Sequence, residues 1–445
     1  MSNLTFGDLL QSKDGLIKGP FGGDIKKSLF VEKSDSTYKV YEQSVVINKN
    51  IELGNYYVSE EYFLKKLKRF EVKPNDLLIT GAGTLGEIYK LPKNTPRGVI
   101  NQALLRIRLN SEVIDESFFY YYFKHYIKAI ICNINGDSVI PNLPPLQIIK
   151  STKIDIPNKI TQQKIASVLS ALDSKIELNN RINAELEAMA KTLYDYWFVQ
   201  FNFPNPSTSS GRAGKPYKTN GGKMVWNDEL KREIPEGWGV KKIGDWIEAD
   251  KSGDWGKETP QGNYQKKVTC IRGTDINSLN GLEVSMPPVR YILEINSHKI
   301  LNSHDLIIEM SGGSPTQSTG RLAYITDGTL KRFDSPLICS NFCKAISIKN
   351  KKMLYNFVYY WKSLYDSGAF FGYEGKTSGI KNLLFESFVN SYYTVVPKDS
   401  IVDKFYEIME NIQNKKQTAL SENQNLSELR DWLLPMLMNG QVKVQ

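Results

Sequence analysis

The stretch "ASVLSALDSKIELNNRINAELEAMAKTLYDYWF", residues 166–198, decides how the rest of the chain is read. Stepping from Ile165 by alternating fours and threes gives Ile165, Leu169, Leu172, Ile176, Asn179, Asn183, Leu186, Ala190, Leu193 and Trp197, an unbroken heptad seam. A seam two positions wide per heptad is too narrow to face a large globular core and suits one long partner helix. About 30 helical residues span about 45 Å at 1.5 Å per residue.

The partner helix is found in the same chain. "IPNLPPLQIIKSTKIDIPNKI" from Ile140 aligns with "IKNLLFESFVNSYYTVVPKDSI" from Ile380 at a constant offset, since 382 − 142 for the Asn-Leu pair and 397 − 157 for the proline both give 240. Carried onto the seam, that offset selects Phe405, Met409, Ile412, Lys416, Ala419, Asn423, Leu426, Arg430, Leu433 and Leu437. The repeat also runs backwards. "FFYYYFKHY" at 118–126 pairs with "FVYYWKSLY" at 357–365, "NDLLI" at 75–79 with "HDLII" at 304–308, and "FGDLL" at 6–10 with "IGDWI" at 243–247.

The expected fold class is therefore α+β: two tandem mixed α/β modules, separated by two long antiparallel helices that form an intramolecular coiled coil, with a pseudo-twofold internal repeat. The boundaries read as 1–157 for the first module, 158–201 for the central helix, 202–234 for a linker, 235–397 for the second module and 398–445 for the C-terminal helix. Residues 204–223, dense in Gly, Ser, Pro and Asn, are expected to be the most mobile. Asn179, Asn183, Asn423 and Lys416 sacrifice packing in the seam and fix its register. Pro435 predicts a kink or break. The aromatic clusters near 120 and 360 predict one short core-packing helix per module.

A net charge of +9 and a pI near 9.0 favour an anionic partner, nucleic acid before membrane. No apolar run approaches the eighteen or so residues of a membrane span, and "MSNLTFGDLLQSKDG" lacks the pattern of a secretory signal. Cys132, Cys270, Cys339 and Cys343 are scattered as in a reducing cytoplasm, and without a second Cys/His pair no zinc or other metal site is expected. His125, His298 and His304 form no catalytic pattern.

Enzymatic motifs fail on inspection. "GYEGKTSG" at 372–379 ends like a phosphate-binding loop, but the required first glycine falls on Phe370. Asp76, Glu87 and Lys90 resemble a metal-dependent nuclease set, yet Glu87 and Lys90 are one residue too far apart, and Asp305 in the second copy has no matching Glu and Lys. "NLPPL" at 142–146 lacks the aromatic of an amino-methyltransferase tetrad. What remains is basic, Gly-rich and aromatic at corresponding places. "KGPFGGDIKK" at 18–27 answers to "KSGDWGKE" at 251–258, and "TGAGTLGEIYK" at 80–90 to "EMSGGSPTQSTGR" at 309–321. Glycines admit close backbone approach, Lys and Arg meet phosphates, and Gln, Thr and Arg read base edges. The candidate DNA contacts are Lys18, Phe21, Lys26, Lys27, Thr84, Lys251, Trp255, Lys257, Arg272, Gln317, Arg321 and Lys376.

"IPNKITQQKIASVLSALDSKIELNNRINAELEAMAKTLYDYWF", "GKPYKTNGGKMVWNDELKREIPEGWGVKKIGD" and "LSELRDWLLPMLMNGQV" resemble the specificity subunit of type I restriction-modification systems, and the repeat extends the likeness along essentially the whole chain. The resemblance implies a non-catalytic subunit that reads double-stranded DNA. Each module would be a target recognition domain for half of a bipartite, asymmetric sequence, with the helices as spacer. It also implies two methyltransferase subunits docked on the helices and restriction/translocase subunits beyond them. S-adenosylmethionine, ATP and Mg would then be used by those partners, with no cofactor in this chain, in the cytoplasm. Two other readings remain at this stage: a restriction-modification enzyme with its own methyltransferase or nuclease activity, and a structural coiled-coil adaptor.

Overall fold

The computed structural model describes residues 4–127, 145–205, 213–281, 285–314, 316–377 and 379–444. Cys132 and the repeat landmarks Asn142 and Leu143 lie outside them. The chain divides into two units, Met1–Ser174 with Leu426–Gln445, and Lys175–Asn425.

Among its described residues unit 1 has eight strands: β1 (Leu16–Lys18), β2 (Thr37–Tyr41), β3 (Tyr57–Ser59), β4 (Glu71–Val72), β5 (Leu77–Thr80), β6 (Ile88–Lys90), β7 (Gly98–Ile100) and β8 (Leu104–Ile107). They form two sheets, ordered β1-β8-β5-β6 and β3-β2-β7-β4. The first is antiparallel throughout, whereas β2 and β7 in the second run parallel. Every residue of β5 and β8 is buried. That explains why their sequences read as continuous apolar runs and not as alternation.

Unit 2 repeats this connectivity. Ile247–Ser252, Cys343–Ile348, Leu306–Glu309 and Leu322–Tyr324 form an antiparallel sheet in that order. Val289–Leu293, Tyr264–Ile271 and Leu337–Cys339 form the second sheet, whose last two strands are parallel. Taken in chain order, the first sheet of each unit joins its first, last and two central strands identically.

The equivalence reaches single residues. Asn75 and His304 both have left-handed backbone, φ 69° and 76°, and each precedes a buried aspartate. Asp76 is paired with Arg108 at 2.7 Å and accepts from the Lys73 N–H, while Asp305 is paired with Lys251 at 2.8 Å and accepts from the Asn302 N–H. The same turn is thus closed by a different cation in each copy. Asp76 is part of this turn, Lys90 pairs with Glu116, and no nuclease constellation forms from them. The aromatic clusters form helices Glu116–Tyr122 and Leu354–Asp366, with Phe118, Phe119, Tyr355 and Trp361 buried in their cores.

The expected linker is largely built into unit 2. Phe203 stacks on Tyr217 at 4.7 Å and on Trp238 at 4.9 Å, and Met224–Asn227 pairs with Arg232–Pro235 as a hairpin. The Gly, Ser, Pro and Asn of this segment suggest a loose linker, but its aromatic residues Phe203 and Tyr217 anchor it. Residues 206–212 lie outside the described residues.

The central helix, Lys159–Tyr194, and the C-terminal helix, Asp399–Met438, are antiparallel in each unit. In unit 1 Asp173 meets Arg430 at 2.8 Å, and Ile165 and Leu169 share a core with Leu437. In unit 2 Asn179 donates to Glu422 and to Asn423, Glu187 meets Lys416 at 2.6 Å, and Phe198 packs edge-on against Phe405 at 4.8 Å. Rising numbers on one helix meet falling numbers on the other. Leu169, Asn179, Asn183, Met409 and Ile412 are buried, and Leu172, Ile176, Leu186, Leu193, Asn423, Leu426 and Leu433 are half-buried. The helix does not break at Pro435. It ends within a turn, at Met438, with Gly440 in left-handed backbone at φ 67°.

Candidate nucleic-acid interface

Two glycines place the loops at the ends of the strands. A Cβ on Gly19, just past β1, would lie 1.8 Å from the Asn101 carbonyl oxygen. A Cβ on Gly253, just past Ile247–Ser252, would lie 1.9 Å from that of Ser340. Both distances are far inside van der Waals contact, so each position requires glycine, and each brings the loop after the first strand against the loop before the last.

In unit 2 these loops enclose a cleft of about 670 Å³. Trp255 and Phe342 supply its aromatic surface, and Arg272, Ser314, Gln317 and Arg321 its polar groups. Trp255, Arg272 and Phe342 come from the turns after three different strands, and Ser314, Gln317 and Arg321 from the one connection between Ser311–Gly312 and Leu322–Tyr324. Arg321 donates from Nε and Nη2 to Glu309 at 2.8 and 2.7 Å, and Arg272 donates likewise to Asp275 at 2.8 and 2.9 Å. Burial pushes the Asp275 carboxyl up, but hydrogen bonds from the Arg272 side chain and backbone N–H outweigh it and hold the group below its usual range. The Trp255 ring carries the Arg290 guanidinium 3.9 Å from its centroid, and Arg290 in turn meets Glu258 at 3.0 Å.

The structure thus gathers Trp255, Arg272, Gln317 and Arg321 into one site. Lys251 does not join them. Its ammonium is bound by Asp305 and by the Ile300 carbonyl, because the turn that buries Asp305 needs a counter-charge. Lys257 is exposed, 5.6 Å from the Tyr264 ring centroid. The side chain of Lys376 lies outside the described residues. The backbone of Glu374–Thr377 is a strand paired with Ile380–Leu383, so its N–H groups serve a hairpin ladder and do not converge on a phosphate. In unit 1 Lys18, Phe21, Lys26, Lys27 and Thr84 are all exposed, Phe21 by 82%. Lys18, Lys26 and Lys27 make no ion pair among the described residues.

Residues 22–188 match the type I restriction modification DNA specificity domain family. The MjaIX type I restriction enzyme specificity subunit of Methanocaldococcus jannaschii is 25% identical over 377 residues, covering 83% of this chain and 78% of that one. Over most of its length the chain is similar to type I restriction-modification specificity subunits. A 54-residue stretch, 12% of the chain, is 48% identical to the HindI specificity subunit of Haemophilus influenzae, of which it also covers 12%. Its fold is similar to the crystal structure of the type I S subunit from M. genitalium, with a TM-score of 0.51 and 16% identity over 98% of this chain and 95% of that one.

Several further residues of the cleft differ in how far the sequence reveals them. Asp275 was legible, since "RGTD" at 272–275 places an acid three residues after Arg272. Glu309 was legible only through strand pairing, because Ile308 faces Leu322 across a hairpin and so brings Glu309 to Arg321. Phe342 carried no local signal.

Proposed function

We propose that the chain is the non-catalytic DNA reader of a type I restriction-modification complex, each unit binding one half of a bipartite, asymmetric target. The carrying observation is the duplicated fold, in which Gly19 and Gly253 seat equivalent loops at the strand ends while the side chains on those loops differ between copies. A constant frame with variable loops suits two readers of different sequences. The paired helices serve as spacer and as the docking surface for two methyltransferase subunits, with restriction/translocase subunits joining the assembly. S-adenosylmethionine, ATP and Mg belong to those partners, and the complex works in the cytoplasm. Among the described residues no helix is long and apolar enough to cross a membrane.

The test is DNA binding as a function of salt. Replacing Lys26 and Lys27 with Ala is expected to weaken binding to every duplex alike. It should also reduce the slope of log K against log salt by roughly 0.9 for each phosphate no longer neutralised, about two in all. Titration by fluorescence anisotropy between about 50 and 200 mM salt reads this directly. An unchanged slope would remove these lysines from the DNA surface, and wild-type binding that does not depend on salt would overturn the reading as a whole.

A further inference from the structure

We propose that Arg272 reads a guanine in the half-site bound by unit 2, an assignment that rests on the DNA-reading function above. Arg272 lines the cleft with its side chain 40% exposed, whereas Asp275 behind it is fully buried. A guanidinium carries five N–H donors in one rigid plane. Nε and one Nη2 proton are held by the two Asp275 oxygens. The other Nη2 contact is a 3.4 Å approach to the carbonyl of Met286, itself an exposed residue. Nη1 has no hydrogen bond within the described residues. The Nη1 donors are therefore left available in fixed orientation, and the Nη2 donor of the same edge is held only by the long 3.4 Å contact to the carbonyl of an exposed residue.

Two physical features favour a base edge over a phosphate. The Asp275 carboxylate neutralises the guanidinium, so the group has little net charge with which to attract a polyanion, yet it keeps its directional donors. Paired N–H donors held in one plane match the O6 and N7 acceptors that guanine presents in the major groove, the commonest specific arginine contact with DNA. The neighbouring Arg321 is neutralised in the same way by Glu309, so the cleft is rich in oriented donors and poor in net charge. Unit 1 has no arginine at this place. Its Tyr41 carbonyl accepts from Asn101 N as the Ile271 carbonyl accepts from Ser340 N, which makes Glu42 the counterpart of Arg272. The guanine requirement set by Arg272 belongs to one half-site alone.

The experiment uses the chain assembled with its methyltransferase subunits. Methylome sequencing first gives the wild-type motif, and exchange of the unit 2 module identifies the half it reads. Binding of the complex is then measured by anisotropy on duplexes in which each G·C pair of that half is replaced in turn. The wild-type complex is expected to discriminate against one such replacement by roughly 10- to 100-fold. Arg272→Ala and Arg272→Lys should both lose that discrimination while keeping it at every position of the other half-site, which doubles as the control for folding. Asp275→Asn, altering a positioning residue, should lose part of it at the same base pair. The assignment is overturned if discrimination survives in Arg272→Ala, or if the half-site contains no G·C pair. It is also overturned if the variants weaken binding to all duplexes equally with a reduced salt slope, the mark of a phosphate contact. A wild-type complex that modifies no defined sequence defeats the DNA-reading function itself, and this is seen before any variant is made.

Discussion

Glu187→Ala is expected to destabilise unit 2 by about 3–5 kcal/mol, because it leaves Lys416 buried without a counter-charge. Lys416 sits in the helix seam with its side chain 2% exposed and meets Glu187 Oε2 at 2.6 Å, while Lys362 meets Oε1 at 2.7 Å. At roughly 2–4 °C per kcal/mol for a unit of this size, the thermal midpoint should fall by about 6–20 °C. Glu187→Ala combined with Lys416→Met should recover most of the loss, since the double variant restores an apolar seam and Lys362 is more exposed. A drop below about 1 kcal/mol in the single variant would show that Lys416 reaches water in solution. The same carboxylate governs acid sensitivity. Burial pushes Glu187 up, but the two ammonium groups together prevail and hold it down to about 2, against an ordinary value of 4.5. A depressed folded-state value contributes stability above the ordinary one that is lost as pH falls towards 2. Between pH 4.5 and 2 the wild type should therefore lose stability more steeply than Glu187→Ala, as followed by denaturant midpoints across that range.

The second large effect is on specificity. Replacing residues 235–397 with the equivalent module of a related subunit should change one half of the methylated sequence and leave the other intact. Each mismatched base pair costs about 1–3 kcal/mol, roughly additively, so a half-site of even three pairs should switch preference by more than a hundredfold. The donor module must carry a lysine in place of Lys362, because that residue lies inside the exchanged segment and closes the Glu187 pair. Methylome sequencing of cells carrying the chimaera decides the matter. A change in both halves would mean that the copies read DNA jointly.

The heptad seam was legible because its signal is periodic and local, and the internal repeat because offsets survive divergence. Lys416 and Arg430 interrupt the apolar pattern of the second seam, and nothing in the linear order shows Glu187 waiting for one and Asp173 for the other, 229 and 257 residues away. Lys251 misled in the opposite direction. A lysine beside a Gly-rich loop suggests a phosphate contact, but its partner Asp305 is 54 residues distant and buried. Within the cleft, residue types were readable and their convergence was not, because its walls come from loops spread between Trp255 and Phe342 that only the sheet order brings together.

Unit 1 is discontinuous along the chain, and this bears on how the protein is made. Its core collects Leu433, Leu434, Leu437 and Met438 around Phe6, Ile165 and Leu169. Ribosomes add roughly 5–20 residues per second, so the 264 residues between Ser174 and Met438 separate the two parts of that core by roughly 13–53 s. Unit 2, Lys175–Asn425, is made within that interval and has its whole sequence before unit 1 does. The nascent N-terminal part must hold an open apolar surface in a crowded cell, and closing it then means joining chain segments hundreds of residues apart, a slow step for a folding chain. A premature stop anywhere before the last turn of the C-terminal helix consequently harms the first unit synthesised, and that turn acts as a check that the reading frame leading up to it has been delivered.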